Sequence, residues 1–245
     1  MFIAIPSYKR AEKCITANYL KRGIIFCHEF EAEEYKKNNP NEIVVMPDEL
    51  QGKGMAVIRN FILDFYDDND EVLMLDDDIE YFGYYDKNKL IKMEENYCYS
   101  FFEDNYRMCR EAYTKLWGVS LLKDKQAYRE NNPFNLSCVV LGPCFGVIVD
   151  EYLRFDERLG LKEDYDYSIQ VMNKYRKILR LNKYHYSCGH INVKGGCRNY
   201  RTLQKEKDNM ALFQKKWGSK IVQTPTTTKD NYTINPRIYV PIKGI

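Results

Sequence analysis

The residues best suited to chemistry are three consecutive carboxylates, Asp76, Asp77 and Asp78, which follow the apolar run Val72-Leu73-Met74-Leu75. Adjacent carboxylates repel one another and ionise together only at a cost unless a cation sits among them. A hard divalent ion relieves that repulsion. Mg²⁺ or Mn²⁺ is held by one or two carboxylates plus substrate phosphate oxygens, so the motif points to a metal-bridged phosphate site. A solvated acidic turn is the plain alternative. An apolar run this short, closed by polar residues, suits a strand buried on both faces. The acids would then stand at its carboxyl end, the edge where open α/β sheets bind ligands.

Four further stretches carry candidate groups. Pro6-Ser7-Tyr8-Lys9-Arg10 follows an apolar segment that reads as a first strand. Tyr8 could stack on a base there, and Lys9 or Arg10 could reach a phosphate; an ordinary exposed loop fits equally well. Arg59-Asn60 lies inside a mostly apolar helical pattern, where an arginine needs a carboxylate or phosphate partner unless it faces solvent. Glu163-Asp164-Tyr165-Asp166 opens a helix. Acids in a first helical turn are favoured by the dipole and by capping. The same carboxylates could act as a general base that takes a proton from an attacking hydroxyl. Asp164 is the first choice and Asp166 the second. Finally, His190 follows Gly189 in a glycine-rich turn, and neutral imidazole suits Mn²⁺. Lys194, Arg198 and Arg201 beyond it suit a diphosphate lid or a nucleic-acid backbone. A surface histidine in a basic loop is the alternative.

These groups need a scaffold, and the elements alternate. Strands are predicted at 2–5, 24–27, 43–45 and 72–75, with helices at 11–22, 31–38 and 55–66 between them. That order argues for parallel βαβ units, a mostly parallel central sheet flanked by helices. Further strands are predicted at 137–141, 144–149, 178–181, 184–187 and 237–240, and helices at 165–175 and 202–217.

The bulk properties exclude several classes. Lys and Arg total 37 against 35 Asp and Glu, so net charge gives no general argument for nucleic-acid binding. No apolar run is long enough to span a membrane. The first residues lack the basic region of a signal peptide, which leads us to expect a cytoplasmic protein with reduced thiols. The eight cysteines include no Cys-x-x-Cys pair, against a structural zinc site. Walker A, dinucleotide-binding and nucleophile-elbow motifs are all missing.

Taken in order, these pieces resemble a GT-A glycosyltransferase. The correspondence is carried by Ile3-Ala4-Ile5-Pro6-Ser7-Tyr8-Lys9-Arg10, by Gly54-Met55-Ala56-Val57-Ile58-Arg59-Asn60, by Leu75-Asp76-Asp77-Asp78, by Glu163-Asp164 and by His190. More narrowly, the Ser-Tyr-Lys-Arg start, the Leu-Asp-Asp-Asp-Ile core and the Glu-Asp helix resemble the TET-associated glycosyltransferases of bacteriophages. The resemblance implies a single GT-A-like domain over 1–218, with a nucleotide-binding half at 1–80, a helical insertion at 81–136 and an acceptor half at 137–218, then a tail at 219–245. It implies inverting transfer from a UDP-sugar to 5-hydroxymethylcytosine in phage DNA, in the host cytoplasm. Pro6, Ser7, Tyr8, Lys9, Arg10, Arg59, Asp76 and Asp77 would bind the nucleotide-sugar. Asp78, Asp76 and His190 would hold Mn²⁺ or Mg²⁺. The base would come from Glu163, Asp164 or Asp166, and Lys194, Arg198 and Arg201 would meet DNA phosphates. The same fold acting on a glycan, lipid or protein, and a nucleotide-binding protein without turnover, are the competing expectations.

Overall fold

The computed structural model describes residues 1–87, 89–121, 130–189, 202–224 and 233–242. In chain order the elements are β1 (Phe2–Pro6), α1 (Ile15–Tyr19), β2 (Gly23–His28), α2 (Ala32–Asn38), β3 (Ile43–Met46), α3 (Met55–Asp64), β4 (Glu71–Leu75), β5 (Ile79–Asp86), β6 (Lys89–Lys92), α4 (Glu95–Glu111), β7 (Leu116–Ser120), β8 (Phe134–Asn135), β9 (Cys144–Ile148), α5 (Glu163–Tyr175), β10 (Leu179–Cys188), α6 (Leu203–Trp217), β11 (Val222–Gln223) and β12 (Arg237–Ile238). One large sheet runs β3-β2-β1-β4-β9-β7-β10-β5-β6, with β8 also paired to β10. The first four strands are mutually parallel. That half is the βαβ sheet expected from the alternating elements. Beyond β4 the pairing is mixed: β9 is antiparallel to both β4 and β7, and β7 is parallel to β10.

The apolar strands are buried on both faces, as their composition requires. In β4, Leu73 and Leu75 enter one core layer, and Val72 and Met74 enter the other. The first layer takes residues of α1, α2 and α4, and the second those of α3, α5 and α6. Among the described residues, no helix is long and apolar enough to cross a membrane.

Several elements differ from their sequence expectation. The helix expected at 11–22 is a short 3-10 turn followed by α1, broken at Cys14. The break delivers Thr16 to the acidic turn, described below. The segment 81–136 is not only helical: its described residues contribute most of β5, with β6, β7 and β8, to the main sheet, beside the helix α4. The strands expected at 178–181 and 184–187 are one strand, β10, with its register shifting between Leu181 and His185. Residues 137–141 form no strand.

The close pairing of β7 and β9 depends on one glycine. Gly146 faces Trp117 across the ladder, and a Cβ there would stand 2.0 Å from the indole Nε1. Trp117 is fully buried against Phe101, Phe102 and Tyr106 of α4, so the ring has nowhere to retreat. Gly146→Ala should therefore destabilise the chain by about 1–3 kcal/mol, the usual range for overpacking. A denaturant melt checks this, and an unchanged midpoint would contradict the close approach.

Candidate active site

Parallel pairing places the carboxyl ends of β1 and β4 at one sheet edge, so the Ser7 loop and the three aspartates meet there. Asp77 is buried and serves the fold. Its Oδ2 accepts from Ser7 Oγ at 2.6 Å, and its Oδ1 takes the Arg10 guanidinium. Ser7 has one hydroxyl proton and gives it to Asp77, so Tyr35 donates to Ser7 at 2.6 Å, and Tyr35 in turn accepts from the Arg10 amide at 3.1 Å. This chain of bonds fixes the Pro6–Arg10 loop from β1, α2 and β4 together. Burial pushes the Asp77 carboxyl up, and Ser7 and Arg10 work against that push.

Thr16 fastens the turn from the other side. Its hydroxyl donates to the Asp76 carbonyl at 2.6 Å and accepts from the Ile79 amide at 2.8 Å, while its own amide donates to the Asp77 carbonyl at 3.1 Å. All three backbone contacts need α1 to start close to the turn, which is why the preceding helical pattern breaks.

Asp76 and Asp78 flank this anchored residue. The Asp76 side chain is 39% exposed, with Arg59 at 4.0 Å. Asp78 Oδ2 lies 4.0 Å from Arg10, and its Oδ1 is buried without a hydrogen-bond partner among the described residues. An unpaired buried acceptor costs about 1–3 kcal/mol, so such an atom calls for an explanation, and an absent cation is a physically sufficient one. The donor set, two carboxylates and no thiolate, suits a hard ion that keeps water or phosphate oxygens as its remaining ligands. Among the described residues no cluster of three or more His, Cys, Asp or Glu is arranged for a metal. His190, Lys194, Arg198 and Arg201 lie outside the described residues. Gly189, the residue before His190, donates its amide to the Asp78 carbonyl at 3.3 Å.

The acidic helix reaches the same edge through Gly142. Antiparallel β9 begins there, with Cys144 opposite Leu75 and the Asp76 amide on the Pro143 carbonyl at 3.1 Å. The Gly142 amide donates to Asp164 Oδ2 at 3.1 Å, and its carbonyl accepts from Arg59 Nη2 at 3.3 Å. Its φ of 75° lies in the left-handed region, and a Cβ would meet the Tyr186 hydroxyl at 2.9 Å, so glycine is required on both counts. Asp164 is half-buried and also accepts from the Tyr165 amide at 2.8 Å.

Arg59, buried beside Phe145 and Phe155, donates to Glu163 at 3.2 Å. It therefore bridges Glu163 to Asp76, meeting the requirement for a carboxylate partner. Its neighbour Asn60 is structural: it donates to the Phe155 carbonyl and accepts from the Phe155 amide. Asp166, the second candidate base, is not brought to this edge. It is fully buried and accepts from Lys216, Trp217 Nε1 at 2.7 Å and Gln170 Nε2 at 2.7 Å, which leaves no oxygen open to a substrate.

On the far side of the loop, Tyr8, His28 and Phe30 form an aromatic group with ring centroids 5.7–6.2 Å apart. Tyr8 also takes a hydrogen bond from Gln51 at 2.7 Å. Lys9 adopts a φ of 54°, its ammonium lies 5.0 Å from the Tyr8 ring, and its amide donates to Glu31 Oε2 at 2.7 Å. Glu31 Oε1 is buried with no hydrogen-bond partner among the described residues. Ser7, Arg10, Arg59, Asp76, Asp77, Asp78, Glu163 and Asp164 are thus gathered at one edge. Thr16, Tyr35, Gly142 and Glu31 join them without any sequence motif to announce them.

A family model described as TET-associated glycosyltransferase matches residues 1–196. The chain belongs to the TET-associated glycosyltransferase family. Every described element of the site lies inside the matched residues. Among solved structures, Staphylococcus aureus TarS 1–349 in complex with UDP is similar with a TM-score of 0.50 and 14% identity, covering 86% of this chain and 64% of that one. TarS 1–349 alone gives a TM-score of 0.47 at 15% identity, covering 76% of this chain and 59% of that one. The chain therefore spans less than two thirds of the length of these structures, and the likeness is one of fold, GT-A-like as the order of motifs implied. No curated protein sequence matches the chain.

The division of labour between neighbouring acids is testable. Asp77→Asn, which weakens a largely buried pair, should lower stability by about 1–3 kcal/mol after allowance for the partial exposure of Arg10. Asp78→Asn should leave stability within about 0.5 kcal/mol of the parent or raise it, as expected where function retains an unfavourable group. Equal losses in denaturant melts would refute the division.

Glu163 makes a pH prediction. Burial, and after it the charge of Asp164, pushes its carboxyl up to about 7, with Arg59 pulling the other way. The folded chain then holds a proton that the unfolded chain has released between about 4.5 and about 7, so stability falls as pH rises through that window. Glu163→Gln should gain stability relative to the parent as pH is raised across it. A difference that stays flat with pH would contradict the raised value.

Proposed function

We propose that the chain transfers a sugar from a UDP-sugar to a hydroxyl acceptor with inversion, and that the acceptor is 5-hydroxymethylcytosine in DNA. The observation that carries the transferase reading is the Asp78 oxygen beside Asp76 that has no partner among the described residues, at the edge where Gly142 also meets Asp164. Family membership supports the DNA acceptor.

The nucleoside would bind against the Tyr8 group, where aromatic faces are offered to a base. Asp78 and Asp76 would hold Mn²⁺ or Mg²⁺, joined in our proposal by His190. The ion's chemistry would be to offset charge that builds on the leaving diphosphate. Lys9, in the same loop as Arg10, would add positive charge for the diphosphate.

Asp164 is the proposed base. The backbone N–H groups of Gly142 and Tyr165 aim its carboxylate. It takes the proton of the acceptor hydroxyl as that oxygen bonds to the anomeric carbon. The bond from that carbon to the diphosphate oxygen breaks with its electron pair, UDP leaves, and the configuration inverts. Glu163, paired with Arg59 and deeper, keeps the guanidinium in place near Asp76. A modified base inside a duplex would be extruded to reach such a recessed carboxylate. Lys194, Arg198 and Arg201 would contact flanking phosphates.

The test is mass spectrometry of hydroxymethylated DNA incubated with the chain and a set of UDP-sugars. A hexose added to 5-hydroxymethylcytosine is expected, with loss of at least about 100-fold in Asp164→Asn, in Asp78→Asn and in excess EDTA. Transfer to glycans alone would replace the acceptor. Full turnover in EDTA would remove the ion, and full turnover in Asp164→Asn would remove the base.

A further inference from the structure

The helix that carries Glu163 and Asp164 starts in an unusual way. Its N-cap is Lys162, with no side-chain capping bond, although Ser, Thr, Asp and Asn are the residues that favour this position. A lysine there also places positive charge at the positive end of the helix dipole. Lys162 is nonetheless buried, and its ammonium donates to Glu206 of α6 at 2.6 Å, with side-chain exposures of 2% and 0%. Glu206 Oε2 also accepts from the Ile234 amide at 3.2 Å, which draws the C-terminal segment onto the same point.

The neighbouring contacts form a pattern. The Leu161 amide donates to Asn209 Oδ1 of α6 at 3.1 Å. One turn further on, Asp166 accepts from Lys216 and Trp217 at the far end of α6. Residues 161, 162 and 166 are thus held by α6, whereas Glu163 and Asp164, between them, turn to Arg59 and Gly142. Helix α6 and residues 233–242 lie beyond the residues 1–196 that the family model matches.

We infer that α6 is a clamp that sets the position of the proposed base, with Lys162 and Glu206 as its positioning pair. Resting on the transferase reading, this names a contribution from the part of the chain outside the family match. Neither residue touches substrate. Their effect is to fix where the first helical turn begins, and hence where the Asp164 carboxylate stands relative to the acceptor oxygen. Displacements of about 1 Å at a reacting group are enough to cost on the order of 100-fold in rate.

The experiment uses the full chain with Lys162→Met and Glu206→Met combined, which removes both charges and keeps apolar volume. Asn209→Ala, at a partly exposed position, is the second variant. The expected result is a folded double variant that binds UDP within about threefold of the parent. Its kcat should fall about tenfold or more. Asn209→Ala, which leaves every charge in place, should lose about threefold in kcat and move the Glu163 midpoint in a carboxyl-labelled NMR titration. A folded double variant with parental kcat overturns the clamp. Should the double variant not fold, Asn209→Ala decides: parental kcat and titration overturn the clamp, and the expected losses support it. A parent chain that turns over no UDP-sugar refutes the transferase reading instead, and the titration then judges the clamp alone.

Discussion

The arrangement rests on the cost of removing carboxylates from water at one sheet edge. Three adjacent acids meet that cost in three ways. Asp77 is neutralised by Arg10 and hydrogen-bonded by Ser7. Asp76 keeps access to solvent. Asp78 keeps one buried oxygen without a partner among the described residues. Ser7, Tyr35, Thr16 and the Gly142 turn are then understandable as the groups needed to hold three like charges in three different environments. A group that the fold has not satisfied is available to a ligand, and one that it has satisfied is not.

The same separation recurs in the acidic helix. Glu163 and Asp164 look toward Arg59 and Gly142, and Asp166 looks toward α6. In sequence the three are equivalent first-turn acids, and the helix dipole favours all of them alike. What separates them is the angular step of about 100° per residue, which sends adjacent side chains to different neighbours. Asp166 lies two residues beyond Asp164 and therefore on the opposite side of the helix.

Much of this was legible in the chain. The strand-then-acid motif at Leu75-Asp76-Asp77-Asp78 located the sheet edge, because an apolar run of that length has few other uses. The partner demanded by Arg59 was foreseen in kind, although not as Glu163. The parallel half followed from alternating periodicities. The β5 and β6 strands were missed, because Tyr81, Tyr84, Tyr85 and the Lys89–Lys92 segment lack a continuous apolar signature. β6 is largely exposed, and β5 is held by pairing with β10, a partner far away in sequence. Thr16 and Gly142 carry no motif because their roles are backbone geometry, and backbone geometry is set by contacts that appear only after folding. The break at Cys14 in the helix expected at 11–22 was unreadable for the same reason: what interrupts it is the demand of the acidic turn on Thr16.

The seam at β4 has a further consequence. This strand pairs with parallel β1 on one side and antiparallel β9 on the other, so it belongs to both halves of the sheet at once. The two flanks share one rigid rail and cannot hinge apart without breaking that ladder.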